Sequence, residues 1–250
     1  MHYQTTACKI CGYDSHFIAA ADANINCLRM PLPASGELVP YYHCNDCGFI
    51  FTPAFDAWTP EQFQRRIYND DYVRIDPEFA SVRPLRQADV LAKILAPLKG
   101  RMRILDYGGG NGVFAAKMNA LGFDTVSYDP VYQDETAPIS EERFQLIHCR
   151  EVIEHAPDPR AFARDILRYL ADDGAVYLST ALQPEDVHRQ VLNWWYLAPR
   201  NGHISLFSKR SLARLWIDLG MEFGCFNDYV HLASRGKPPC LALLMEHGGS

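Results

Sequence analysis

No stretch of the sequence reaches the eighteen or so uninterrupted apolar residues that a membrane span requires. That absence argues against a membrane-embedded protein. The first thirty residues also lack the basic start and continuous apolar core of a secretory signal, and cysteines already stand at Cys8 and Cys11. A cytoplasmic protein is the expectation. Long basic runs are missing too, and the formal net charge is -6, so the overall balance gives no electrostatic grip on a nucleic-acid backbone. What is present, over 250 residues, is 48% apolar and 22% charged, the composition of a folded globular chain with one large domain or one domain and an appendage.

Cysteine is plentiful, with eight in the chain, and in a reducing compartment they do not read as a disulfide framework. Four of them form a repeated pattern, CKICG at Cys8 to Gly12 and CNDCG at Cys44 to Gly48. A CxxC turn brings two sulfurs of one short loop to the same ion, and the glycine that follows permits the tight left-handed backbone of a zinc knuckle. The spacing predicts a structural zinc ion held by Cys8, Cys11, Cys44 and Cys47 in a module over residues 1–53. Four thiolates close the coordination sphere and leave no position for catalytic water. Reduced thiols, or one redox-active pair, are the alternative. Cys27, His16 and His43 are further ligand types nearby in sequence. LVPYYHC, at Leu38 to Cys44, has strand-forming residues leading into the second knuckle.

Residues 54–100 read as a helical connector or lid. TPEQF, at Thr59 to Phe63, starts a helix with Thr59 as cap, Pro60 in the first turn and Gln62 reaching back, and the helix is expected to run to about Tyr68. From Pro84 to Leu98, Leu85, Ala88, Leu91, Ala92 and Leu95 recur at helical spacing on one inward face.

The segment from Met102 to Pro130 reads as strand, glycine turn, helix and strand. Ile104 and Leu105 form a buried strand, Phe114, Met118 and Leu121 the inner face of a helix closed by Gly122, and Phe123 to Tyr128 the next strand. Ligands bind where such strands end. The turn is spaced as Asp106, Gly108, Gly110 and Gly112, not as the GxGxxG of a dinucleotide site. An acidic residue beside the turn repels a diphosphate and suits a ligand that carries an ammonium and a sulfonium. Asp129 stands at the tip of the second strand, where a carboxylate accepts hydrogen bonds from ribose hydroxyls. Charge therefore favours S-adenosylmethionine over NAD.

ILDYGGGNG with YDP, FQLIHCREVIEHAPDP at Phe144 to Pro159, and ILRYLADDGAVYLST at Ile166 to Thr180 together resemble the class I S-adenosylmethionine-dependent methyltransferases. The resemblance runs from about Arg101 to Glu246 and makes residues 101–250 the cofactor-binding domain. It implies an α/β, Rossmann-like sheet of seven strands, mostly parallel with the last antiparallel. FSKRSLARLWIDLG would be the closing helix, and MEFGCFNDY and CLALLMEH the closing strands. By the same resemblance Gly108, Gly110, Gly112 and Asp129 contact the cofactor and Asp106 helps hold its amino-acid end. Between Asp129 and Phe144 too few residues remain for the usual helix and full third strand. Asp134 and Glu135, or the stretch from Cys149 through Glu151 to Val152, are then the candidates for adenine recognition.

Methyl transfer from a sulfonium mainly needs alignment and exclusion of water, with a base where the acceptor must lose a proton. GHISLFS, at Gly202 to Ser208, is similar to a segment of zinc-containing sugar C-methyltransferases in which a histidine faces the substrate, making His203 the first candidate base. His155, in EVIEH, is the second. NWWYLAPRNGH supplies Trp194, Trp195 and Tyr196, which with Tyr68 and Tyr72 are the candidate walls of an acceptor site. The expected function is methyl transfer to a small biosynthetic acceptor, a sugar or nucleotide sugar among the options. A zinc-containing RNA methyltransferase is disfavoured by the acidic balance. A non-catalytic zinc-ribbon protein on the same fold is the remaining alternative.

Overall fold

The computed structural model describes residues 5–130 and 143–248. Among these, the strands in chain order are β1 (Thr6–Ala7), β2 (Asp14–Asp22), β3 (Leu38–Cys44), β4 (Ile50–Phe51), β5 (Arg103–Tyr107), β6 (Asp124–Tyr128), β7 (Phe144–Arg150), β8 (Leu170–Ser179), β9 (Ser205–Leu206), β10 (Glu222–Cys225) and β11 (Val230–Ser234). The helices are α1 (Pro60–Arg66), α2 (Tyr72–Ile75), α3 (Val82–Ile94), α4 (Val113–Ala120), α5 (Pro159–Tyr169), α6 (Val187–Gln190), α7 (Lys209–Ile217) and α8 (Leu241–His247). No helix among the described residues is long and apolar enough to cross a membrane. Two compact units divide the chain: Met1–Pro77 with Ile153–Phe162 and Ala181–Leu215, and Glu78–Val152 with Ala163–Thr180 and Trp216–Ser250.

The first unit is built on an antiparallel sheet in the order β1-β2-β3-β4-β9. The segment LVPYYHC is the strand β3, as its residue types predict. Strand β9 comes from far down the chain, with Leu206 opposite Ile50 and Ser205 opposite Phe51, so the amino-terminal residues do not complete their sheet alone. Phe49 packs on Phe51 and Phe207 at ring separations of 5.4 and 5.1 Å, and all three are buried. Helix α1 has the full capping box: Thr59 Oγ1 accepts from the Gln62 N–H at 3.4 Å, and the Thr59 N–H donates to Gln62 Oε1 at 2.8 Å. Reciprocal caps of this kind satisfy two backbone donors that a short helix otherwise leaves to water.

The second unit is built on a sheet in the order β10-β11-β8-β7-β5-β6. Strands β5, β6, β7 and β8 pair in parallel, and β11 runs antiparallel to both β8 and β10. Six strands are therefore present among the described residues, against the seven expected, with the last in the chain antiparallel as expected. The shortened region after Asp129, with Asp134 and Glu135, falls at residues 131–142, outside the described residues. Ile104, Leu105, Leu146 and Ile147 are wholly buried, as strands covered on both faces require. Phe114 and Met118 of α4 and Ala88, Leu91 and Ile94 of α3 pack into the same core.

Two local expectations need correction. Leu85, placed on the inner face of α3, is 39% exposed, because the helix begins at Val82 and its buried stripe runs through Ala88, Leu91 and Ile94. CLALLMEH is not the closing strand; Leu241–His247 is α8, and β11 is VHLAS. Leucine, alanine, methionine and glutamate are strong helix formers, whereas VHLAS, buried at every position, pairs with β8 on one side and β10 on the other.

Candidate functional site

The glycine turn joins the carboxyl end of β5 to α4. Gly108, Gly110 and Gly112 all have positive φ, at 77°, 54° and 76°, a region that favours glycine. The turn is tied to β6 by N–H bonds from Gly108 and Gly109 to the Tyr128 carbonyl, at 2.7 and 3.2 Å. It is tied to Asp129 by the Gly110 N–H, which donates to Oδ2 at 2.9 Å. Close packing explains two of the glycines: a Cβ on Gly108 would meet both Val152 methyls at 2.6 Å, and one on Gly109 would meet Asp106 Oδ2 and Ser127 Oγ at 2.3 Å. At Gly110 nothing lies within 4 Å of where a Cβ would stand, which leaves room for a ligand to reach the backbone. Asn111 serves the turn itself, donating from Nδ2 to the Ala80 carbonyl at 3.0 Å and accepting from the Val113 N–H at 3.4 Å.

Asp106 is buried, and its Oδ1 lies 2.9 Å from His148 Nδ1. The His148 ring stacks on Phe114 at 3.8 Å, and burial pulls its pKa below the ordinary histidine value of 6.5 although the Asp106 hydrogen bond opposes this. At the end of β7, Cys149 is buried and Glu151 adopts φ 58°. Its N–H donates to the Ser179 carbonyl and to Ser179 Oγ, each at 3.1 Å, and the Ser179 hydroxyl donates to Glu151 Oε1 at 2.8 Å. A non-glycine residue held in a left-handed conformation by such bonds is a feature that clusters at ligand sites. Asp106, Gly108, Gly110, Gly112, Asp129, Cys149 and Glu151 thus share the second unit, at the carboxyl ends of adjacent parallel strands.

In the first unit the four cysteines of the repeated pattern converge, with their Sγ atoms all within 4.8 Å of one another. Cys8 and Cys47 sulfurs are 3.6 Å apart, and those of Cys11 and Cys44 3.4 Å. Metal–sulfur bonds of about 2.3 Å in a tetrahedron imply sulfur–sulfur edges of about 3.8 Å, close to these separations. The two turns have the same form: Gly12 N–H donates to the Cys8 carbonyl and Gly48 N–H to the Cys44 carbonyl, at 2.9 and 3.0 Å, with φ of 77° and 75°. The hydrogen bond from Cys47 pulls Cys8 down to about 5, while burial pushes Cys11 up to about 11. Neither His16 nor His43 joins this cluster among the described residues, and Cys27 sits instead 3.6 Å from His203 Nδ1.

The same unit brings His155 and His203 together, with ring centroids 5.1 Å apart. His203 is buried, and its Nδ1 lies 2.9 Å from the Tyr196 carbonyl. His155 Nδ1 lies 3.0 Å from the Gly202 carbonyl. A carbonyl only accepts, so each ring nitrogen facing one carries the proton, which leaves Nε2 of each ring as the basic nitrogen. Tyr196 packs on the His203 ring at 4.1 Å and Tyr68 on His155 at 6.0 Å, while Tyr72 meets Tyr68 edge-on at 5.1 Å. Trp194 and Tyr196 are buried, and Trp195 is 42% exposed. Residue-by-residue reading overlooked His148, Ser127, Ser179 and Glu154. Of these, Glu154 is signalled by its place beside His155, and His148 by its place in the strand segment FQLIHCR, directly after the apolar pair Leu146 and Ile147.

A family model described as a methyltransferase domain matches residues 79–223, more than half of the chain. The chain belongs to that family. Among relatives of this methyltransferase-domain chain, a ubiquinone biosynthesis O-methyltransferase of Alkalilimnicola ehrlichii is 32% identical over 122 residues, 40% of this chain and 49% of that one. The corresponding Rickettsia canadensis protein is 24% identical over 173 residues, covering 56% and 72%. The chain thus spans about half the length of the first of these relatives. In fold it is similar to an O-methyltransferase family protein from Burkholderia thailandensis, with a TM-score of 0.51 at 13% identity over 73% of this chain and 64% of that one. Mitomycin 7-O-methyltransferase superposes with a TM-score of 0.50 at 15% identity, over 71% and 61%. Identities this low show the fold of the methyltransferase domain and nothing about its acceptor.

Proposed function

We propose that the chain is an S-adenosylmethionine-dependent methyltransferase that methylates a hydroxyl oxygen of a small biosynthetic molecule. The observation that carries this reading is the glycine turn, with buried Asp106 at one side and Asp129 fastened to the Gly110 N–H at the other. Gly108 and Gly110 would present backbone to the cofactor, Asp129 would take the ribose hydroxyls, and Cys149 and Glu151 would border the adenine. When bound, S-adenosylmethionine supplies an activated methyl group on its sulfonium. The names of the curated relatives, O-methyltransferases of ubiquinone biosynthesis, support oxygen as the acceptor atom, and a sugar hydroxyl belongs to the same chemistry.

His203 is the proton acceptor in this reading, because the Tyr196 carbonyl holds the proton on Nδ1 and keeps Nε2 basic. His155 braces the segment through Gly202 and is the second candidate. Tyr68, Tyr72, Trp194, Trp195 and Tyr196 would border the acceptor, as flat apolar surfaces suit planar or sugar rings. The four cysteines would hold a structural zinc ion that fastens the first unit.

Titration calorimetry with S-adenosylmethionine and S-adenosylhomocysteine, followed by methyl transfer to a panel of phenols and nucleotide sugars, tests the assignment. Saturable cofactor binding is expected. A folded protein that binds neither compound defeats it. For the base, His203→Ala should leave cofactor affinity intact and slow turnover by roughly a hundred- to ten-thousandfold. Undiminished turnover would remove His203 from that role.

A further inference from the structure

We propose that Glu154, His155 and His203 form a second metal site, separate from the four cysteines, for a divalent cation of the zinc class. Each residue offers a ligand atom, and the three atoms lie within 4.8 Å of one another. His155 Nε2 is 3.8 Å from Glu154 Oε1. Two imidazoles and one carboxylate are a donor set that zinc and its neighbours accept, and three protein ligands leave a coordination position open.

The support around these side chains is what such a site needs. Ligating histidines donate their second ring N–H to a carbonyl or carboxylate, which fixes the tautomer and aims the other nitrogen at the metal. Both histidines here have that partner: Tyr196 for His203 and Gly202 for His155, at 2.9 and 3.0 Å. The backbone is pinned between the two segments as well. Ile204 N–H donates to the Glu154 carbonyl at 3.0 Å, and the Ser205 hydroxyl donates to the Ala156 carbonyl at 2.7 Å. Gly202 has φ 82°, and a Cβ there would meet His155 Nδ1 at 3.1 Å, so its carbonyl reaches the ring only because no side chain intervenes. Glu154 is fully buried. A divalent cation held with two neutral imidazoles would lie against this buried carboxylate and offset its charge.

The inference rests on the proton-removal role proposed for His203 and adds a metal-loaded form of the same site. Without metal, Nε2 of His203 takes the proton. With metal, Glu154, His155 and His203 would hold the cation, His203 would serve as a ligand and not as the proton acceptor, and the cation would supply Lewis-acid activation of an acceptor hydroxyl.

The test uses the full chain as purified, titrated with Co2+ and followed by visible absorption, with metal analysis of the same samples. Wild type should show a saturable signal at about one equivalent, without the sulfur charge-transfer band of a thiolate site. Where zinc already occupies the site, metal analysis should find one more zinc than the four cysteines hold. Glu154→Gln and His203→Gln should each weaken this binding about a hundredfold or more. Their circular dichroism and cysteine-held zinc report whether they have folded. No saturable signal and no extra zinc in wild type, or unchanged affinity in both folded variants, overturns the site. Cofactor binding is measured separately: a protein that binds S-adenosylmethionine but no cobalt or extra zinc loses the site and keeps the methyltransferase reading, and the converse result does the reverse.

Discussion

His148 and Asp106 face each other across adjacent parallel strands, ring Nδ1 to carboxylate Oδ1 at 2.9 Å, and both side chains are buried. Burial lowers the histidine pKa, so the folded protein holds the ring neutral at pH values where the unfolded chain takes up a proton. Below about pH 6.5 the unfolded state therefore binds more protons than the native state, and stability falls as pH falls toward the native pKa. Urea midpoints measured between about pH 7.5 and pH 5.5 should decrease in wild type more steeply than in His148→Gln. Parallel curves would show that this ring does not titrate on unfolding.

Gly109→Ala brings a methyl group to 2.3 Å from Asp106 Oδ2 and Ser127 Oγ. Both neighbours sit on strands of the parallel sheet, so the turn has to move, at a cost of about 1–3 kcal/mol. The thermal midpoint should fall, and S-adenosylmethionine affinity should drop by at least about tenfold because the displaced backbone is the one proposed to meet the cofactor. Calorimetry on the folded variant checks both, and native affinity would disprove the link.

Asn111→Ala is the contrast on the same turn. It removes the bonds to Ala80 and Val113 but none of the turn's close contacts, so stability should decline by about 1 kcal/mol while cofactor affinity stays within about twofold. A large loss of affinity would place the Asn111 side chain in the cofactor site.

Asp129→Ala takes away the acceptor of the Gly110 N–H and the carboxylate proposed for the ribose hydroxyls. Hydrogen bonds to a charged group contribute about 1.5–3 kcal/mol, so affinity for S-adenosylmethionine should fall roughly ten- to a hundredfold. The same change should leave the binding of zinc to the cysteines unaltered, read by metal analysis. Equal affinity in wild type and variant would exclude the ribose role.

Cys44→Ser removes one sulfur from the cluster and should lower bound zinc and destabilise the first unit. Strand β3 ends at this residue, and the Cys44 N–H and carbonyl close the second knuckle. Chelation of wild type should reproduce the loss, because metal binding free energy is folding free energy in such modules. A variant that melts like wild type and takes no zinc would show that the cysteines are not a structural site.

The parts legible in the sequence are those decided by near neighbours. The strand, turn, helix and strand from Met102 to Pro130, the capping box at Thr59 and the two cysteine knuckles follow from spacing alone. Leu85 and CLALLMEH misled because periodicity and apolar content name a face or an element but not its partner. Leu85 lies one turn outside the stripe that α3 buries, and the strand place was filled by VHLAS, which pairs on both edges.

The sequence by itself determined the glycine turn, since positive φ at Gly108, Gly110 and Gly112 and the alternation around them are local properties of the chain. It also named four cysteines and two histidines as chemistry-bearing residues. Only the tertiary structure decided what they meet. Glu154, His155 and His203 converge because Ile153–Phe162 and Ala181–Leu215 join the amino-terminal residues in one unit. Such contacts between distant segments are set by sheet pairing and side-chain packing, which leave no fixed spacing in the sequence.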